Sequence, residues 1–365
     1  MKQFISALLL TFLSFIAFSA LADEPATYNQ IVVFGDSLSD NGNLYGTTLH
    51  LMPKSPPYYQ GHFSNGPTWA DLTEKYFADK NNVTTANYAV GGETVVLHNP
   101  FDGYLPYTFK DSLNSYYLHT IFRDRSHTLF IIWLGANDYL NGSKDLEADT
   151  TTVVQAIQDN MESLISKGAK NFLVLDLPDL ALTPFATDKK SGESLHLATT
   201  LHNTKLQSML ETMQVLHKDV NIHSISVYDF FNDLTAHTDD YNKKYNTHLN
   251  NITTACWTGG YLIRNLQNEE LAIQHDLEAN YHRKSVTSVT ANNNIDFKAM
   301  AHYIATNPSL QEAYHVGKSY IDGTAVPCSN PDEYVFWDHV HPTAASHSII
   351  GAVLIDYINQ NYRAG

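Results

Sequence analysis

Ile31-Val32-Val33-Phe34-Gly35-Asp36-Ser37-Leu38 is the stretch on which the fold turns. The first four residues form an unbroken apolar run, too short for a helix and too uniform for a strand with one wet face. Such a run fits a strand buried on both sides, as in a parallel sheet covered by helices. Gly35 ends the run, and Ser37 then stands where the strand meets the carboxyl edge of the sheet. Open α/β sheets gather their reactive groups at that edge. A serine held there is a candidate nucleophile if an imidazole and oxyanion donors reach it. A Gly-Asp-Ser triplet alone mostly marks a turn, so residues elsewhere must decide.

Further along, short β-branched runs alternate with amphipathic helical patterns. Strands are expected at Gln30–Gly35, Val83–Ala89, Thr128–Gly135, Asn171–Leu177 and Val220–Val227. Helical spacing marks Thr68–Ala78, about Asp111–Phe122, Ala148–Lys167, Ser194–Leu216 and Thr343–Tyr362, the last with Pro342 ahead of it. This alternation predicts an α/β fold: a parallel sheet with helices on both faces. It also predicts polar, reactive residues just after strands. Gly91-Gly92-Glu93-Thr94, Gly135-Ala136-Asn137-Asp138 and Asp176-Leu177-Pro178-Asp179 stand in those places.

At the amino terminus, Lys2, the apolar Phe4–Phe18 and Ala20-Leu21-Ala22 before Asp23 read as an export leader over residues 1–22. Residues 23–365 are then expected to form one domain of an exported protein. The chain carries a net charge of −16 at pH 7 with its 18 histidines neutral. That acidity argues against a nucleic-acid partner, which would need a basic face. Cys256 and Cys328 are the only cysteines. An even pair in an exported chain is expected to form a disulfide. The stretch at about 237–330 is polar, rich in Asn, Tyr and His, and breaks the strand–helix alternation. It reads as an insertion stapled by that bond.

Near the carboxyl end stands Trp337-Asp338-His339-Val340-His341-Pro342. A base for Ser37 needs an imidazole whose other nitrogen is held by a carboxylate. Asp338 and His341, three apart in a turn entering a helix, present both groups to one place; His339 is expected to point away. His339 and His341 as a metal pair is the competing reading, but no third ligand has convincing spacing, so no metal and no cofactor are expected. For the oxyanion, Gly92 offers an unobstructed backbone N–H and Asn137 a side-chain amide.

Together these blocks resemble the GDSL family, also called SGNH hydrolases. Phe34 to Asp40 is similar to the family's first block, Asn87-Tyr88-Ala89-Val90-Gly91-Gly92 to its second, Gly135 to Asp138 to its third, and Asp338 to Pro342 to its closing block. The resemblance implies a three-layer, flavodoxin-like, five-stranded fold, with Ser37 as nucleophile, Asp338 and His341 as its base, and Ser37, Gly92 and Asn137 as oxyanion donors. Phe63-Ser64-Asn65-Gly66-Pro67-Thr68-Trp69, together with the export leader and chain length, resembles the branch of secreted bacterial phospholipases and glycerophospholipid–cholesterol acyltransferases. That branch implies phospholipid or lysophospholipid substrates at a membrane surface, cholesterol as a further acceptor, and a disulfide-closed segment that restrains activity until a protease cuts it. Two alternatives stay open: a carbohydrate acetylesterase using the same serine, and a non-catalytic membrane-binding toxin or adhesin. Pro56-Pro57-Tyr58-Tyr59 and Tyr104 to Phe109 are aromatic-rich runs suited to acyl chains or simply to a core.

Overall fold

Five parallel strands form the central sheet, and their burial follows their composition. The computed structural model describes residues 26–96, 107–257, 266–285 and 296–365; the expected leader and the first half of the Tyr104 run, Tyr104 to Pro106, lie outside them. In chain order the strands are β1 (Ala26–Tyr28), β2 (Gln30–Gly35), β3 (Thr84–Asn87), β4 (Thr128–Trp133), β5 (Asn171–Leu175), β6 (Asn221–Ile225), β7 (Asn251–Ala255), β8 (Tyr334–Phe336) and β9 (Tyr362–Ala364). The main sheet runs β3-β2-β4-β5-β6, the flavodoxin-like order, with every pair parallel. The inner strands β2, β4 and β5 are buried along their whole length. The outer strands β3 and β6 are exposed or half-buried, which accounts for their polar sequences.

Side chains alternate across β2, so its apolar run serves two cores. Val32 and Phe34 pack with Leu113, Tyr116, Ile157, Met161 and Met213 from the helices Phe109–His119, Leu146–Ser166 and Gly192–Leu216. Ile31 and Val33 pack on the other face with Trp69, Phe77, Phe231, Ile350 and Leu354 from Trp69–Asn81, Val227–Ala236 and Ala344–Asn361. The three-layer α/β/α architecture is therefore as expected. The later strands end earlier than their sequences imply, because residues such as Ala89, Gly135 and Asp176 leave the ladder to form the loops above it. The helix expected from about Asp111 begins at Phe109: Thr108 caps it, donating its N–H to the Asp111 carboxylate at 3.0 Å.

The segment between the cysteines carries a core of its own. Helices Leu266–Ser285, Phe297–Thr306 and Pro308–Ile321 contribute Ile273, Leu277, Met300, Ile304, Leu310 and Val316 to a third apolar cluster. That cluster also takes in Leu44, Tyr58, Phe63, Val90 and Trp337 from the loops above the sheet. Cys256 and Cys328 are bonded, with Cα atoms 4.9 Å apart. Just before Cys256, β7 pairs in parallel with β8, so the base of the segment is fastened to the strand that leads into Asp338. At the opposite edge of the fold, β1 and β9 pair in parallel, and Gly365 N–H donates to Tyr28 O at 2.7 Å.

Candidate active site

Ser37 sits two residues beyond Gly35, the last residue of β2, in a turn that its neighbours hold. Asp36 O accepts from the N–H groups of Ser39 and Asp40 at 3.0 and 2.9 Å, and Leu38 N–H donates to Asp36 Oδ1 at 3.0 Å. A Cβ at position 35 would come within 2.6 Å of Ser39, so the close approach requires glycine. Burial pushes the Asp36 carboxyl up to about 7, against the pull of Leu38 N–H and the His341 imidazole. Asp36 supports the serine turn.

The closing turn leaves β8 at Phe336 and is pinched by Trp337 N–H donating to His341 O at 2.8 Å. This brings the sequence-predicted residues together. His341 Nε2 lies 3.0 Å from Ser37 Oγ, and His341 Nδ1 lies 2.7 Å from Asp338 Oδ2. Asp338 Oδ1 accepts from Val340 N–H at 2.8 Å and His341 N–H at 2.7 Å, which fixes the carboxylate to its own turn. Burial disfavours the Asp338 charge, but the His341 imidazole and the hydrogen bonds from His341 and Tyr58 outweigh it and hold the carboxyl below its usual range. With that carboxylate on Nδ1, the imidazole keeps its proton there and leaves Nε2 free to accept one from the serine.

His339 does point away. Its Nδ1 meets Glu312 Oε1 at 2.6 Å and its Nε2 meets Asp188 Oδ2 at 3.2 Å. Burial opposes its charge, yet Glu312 raises the His339 pKa to about 9. Among the described residues, no group of three or more His, Cys, Asp or Glu stands together to hold a metal.

The two donor loops are cross-tied. Gly91 N–H already donates to Asp40 Oδ2 at 2.7 Å, so it is not the donor to a ligand. Gly92 adopts φ 77°, a conformation suited to glycine, and its N–H has no acceptor among the described residues. Asn137 Nδ2 donates to Glu93 O at 3.0 Å with one of its two hydrogens. Asp138 accepts from Val95 and Val96 N–H at 2.9 and 3.1 Å, tying the loop after β4 to the loop after β3.

Four residues of this site were not found from sequence. Ser309 Oγ lies 3.3 Å from Ser37 Oγ and 3.4 Å from His341 Nε2. Asn307 Nδ2 donates to Gly92 O at 2.8 Å, and Tyr303 OH to Gly91 O at 3.0 Å. Tyr58, expected in a run for lipid or core, directs its hydroxyl at Asp338 Oδ2. Asn307-Pro308 is a recognisable helix start, and it is the one cue the sequence offered for Ser309. These contacts leave Ser37 only 3% exposed. A small, largely apolar cleft opens beside Ser37, lined among others by Leu38, Leu140, Leu180, Phe231 and Val340. Pro178 and Asp179, flagged as residues following a strand, stand in its wall.

The sequence model of the family described as GDSL-like Lipase/Acylhydrolase matches residues 31–354. The chain is 28% identical over 343 residues to a phosphatidylcholine-sterol acyltransferase of Aeromonas hydrophila, covering 93% of each protein. It is 31% identical over 207 residues to the secreted effector protein SseJ of Salmonella typhimurium, covering 55% of this chain and 46% of that one. The solved structure of a carbohydrate acetylesterase from Sinorhizobium meliloti is similar at a TM-score of 0.35 and 15% identity, over 55% of this chain and 85% of that one, a likeness too distant to bear on substrate.

Proposed function

The chain belongs to the GDSL-like lipase/acylhydrolase family, and from that premise we propose that it is an exported serine esterase acting on phospholipid or lysophospholipid, with water or a sterol as acyl acceptor. One observation carries the reading: the buried relay from Asp338 through His341 to Ser37, at 2.7 and 3.0 Å. In this reading His341 Nε2 takes the Ser37 proton as Oγ bonds to the ester carbon. The negative charge that moves to the carbonyl oxygen is met by the N–H groups of Ser37 and Gly92 and by Asn137 Nδ2. Collapse breaks the ester C–O bond, and His341 returns the proton to the departing alcohol, leaving acyl-Ser37. Water or a second alcohol then gives its proton to His341 and bonds to the acyl carbon, the carbon–Oγ bond breaks, and His341 passes the proton to Ser37 Oγ, which restores the serine.

Lipid as substrate is supported by the largely apolar cleft beside Ser37 and by the relative that spans 93% of both chains and is named an acyltransferase. Export is supported by the leader-like residues 1–22 and by a relative named a secreted effector. The Cys256–Cys328 segment is a restraint in this reading. It lays Ser309 against the nucleophile and Asn307 against the Gly92 loop, and a cut within it would let that helix start lift while the disulfide keeps the pieces together.

The test offers purified chain, intact and nicked inside this segment, vesicles of phosphatidylcholine or lysophosphatidylcholine with and without cholesterol. Nicked chain is expected to release fatty acid, and to form sterol ester when cholesterol is present; Ser37→Ala should do neither. Hydrolysis confined to acetyl esters overturns the lipid reading. Equal rates from intact and nicked chain remove the restraint.

A further inference from the structure

Tyr58 is buried, 1% exposed, and its phenolic hydroxyl ends on the carboxylate of the base pair, 280 residues away. We propose that Tyr58 is a positioning residue that tunes the basicity of His341 by donating to Asp338 Oδ2, the oxygen that also receives His341 Nδ1–H. The proposal rests on the reading of His341 as the base.

The geometry is saturated. Asp338 Oδ1 takes two backbone N–H groups, and Oδ2 takes the Tyr58 hydroxyl and the His341 ring. Four donors fill the acceptor sites of a carboxylate, so none can be lost without redistributing its charge. Tyr58 is placed firmly enough to matter. Its N–H donates to Lys54 O at 3.1 Å, and its O accepts from Ser55 Oγ at 2.6 Å. Its ring lies 6.1 Å from that of Phe63, which in turn lies 5.1 Å from the His341 ring. The proton stays on the phenol: burial raises the Tyr58 pKa well above its usual value, and the Asp338 charge raises it further.

A carboxylate shared by two donors is a weaker partner for each. Removing the phenol concentrates the Asp338 charge on His341, stabilises the imidazolium and raises the pH at which the ring becomes a competent base. Other titratable groups face the pair. Asp36, on the serine turn, and His347, on the helix Ala344–Asn361, act electrostatically on His341; Glu312, on the helix Pro308–Ile321, acts on Asp338 and Tyr58; and His339, although its ring turns to Glu312 and Asp188, feels the charge of Asp338. All of them are retained in Tyr58→Phe, so a shift reports the lost hydroxyl.

The experiment follows the full chain by two readouts. The first is the acid limb of kcat/KM on a short water-soluble ester; the second is the titration of the His341 imidazole by NMR in a Ser37→Ala background, which needs no turnover. Tyr58→Phe is expected to move the limb and the imidazole titration up together, by about 0.5–1 pH unit. In an Asp338→Asn background, Tyr58→Phe should no longer move the imidazole titration. A purely structural role lowers the plateau and leaves both midpoints in place, and unchanged midpoints overturn the proposal. If Tyr58→Phe does not fold, fluorotyrosine at position 58, a stronger donor of nearly the same shape, should move both midpoints down; no movement there overturns the proposal equally. Wild-type chain lacking Ser37-dependent hydrolysis would defeat the esterase reading, while the NMR titration would still decide whether Tyr58 sets the basicity of His341.

Discussion

The turn after β2 and the start of the helix Pro308–Ile321 meet at one serine, yet they are held in unlike ways. Ser37 is the direct continuation of a strand buried along its six residues and hydrogen-bonded on both sides, so it cannot shift without disturbing the sheet. The helix start is held on the site by Tyr303 and Asn307 on the glycine loop, Ser309 on the serine, Glu312 on His339, and the packing of Leu310. Hydrogen bonds of this kind are worth about 1 kcal/mol each. In the proposed reading the nucleophile thus belongs to the continuously paired sheet, and access to it is set by a helix start held through separate local contacts, the kind that open at lower cost.

The largest test of that contrast is Asn137→Ala. If Asn137 belongs to the rigid half, kcat should fall about 10²–10³-fold, equally in intact and nicked chain, with little change in KM. A loss seen in only one form would break the contrast. Asn307→Ala probes the other half. Asn307 Oδ1 caps the helix by accepting from Ser309 and Leu310 N–H, and its amide holds Gly92 O. Losing such a cap costs about 1 kcal/mol, so esterase activity of the intact chain should rise roughly fivefold relative to the nicked chain. A fall in that ratio would mean that the helix start assists turnover.

The smallest expected effect concerns pH. Glu312 keeps the proton on His339 up to about 9, where burial alone would have removed it earlier. Because this pKa is raised, its stabilisation is present in full below the ordinary imidazole pKa of about 6.5 and is lost as pH climbs through 9. Thermal melts of the wild type should therefore decline across that window, and His339→Gln should flatten the decline by about a degree or two. An unchanged slope would show that the Glu312 link contributes nothing to the hold.

The legibility of the sequence divides along the same line. Ile31–Phe34, Thr128–Trp133 and Asn171–Leu175 were readable because strands buried on both faces need continuous apolar residues. Asp338 and His341 were readable because they share one short turn, and Gly92 and Asn137 because each follows a strand. The segment at about 237–330 looked polar because its apolar residues are spaced along helices whose other faces are wet; Ile273, Leu277, Ile304 and Val316 nonetheless pack into a core. For Tyr58, Glu312 and Ser309 nothing local names the partner: Tyr58 stands out only as part of an aromatic run and Ser309 only by the helix start ahead of it. Each acquires its partner through contacts 280, 27 and 272 residues distant, and only the folded chain sets those pairs.

The pairing of β1 with β9 has a mechanical consequence. The two strands run parallel, with Ala26 opposite Tyr362 and Tyr28 opposite Ala364. A chain pulled by its amino-terminal side and its carboxyl-terminal side would load this pair in shear, so that its hydrogen bonds share the force instead of parting one after another. Tyr362 adds a rivet by donating its hydroxyl to Phe172 O of β5 at 2.6 Å. The ends of the fold are thus latched in the direction in which tension would arrive.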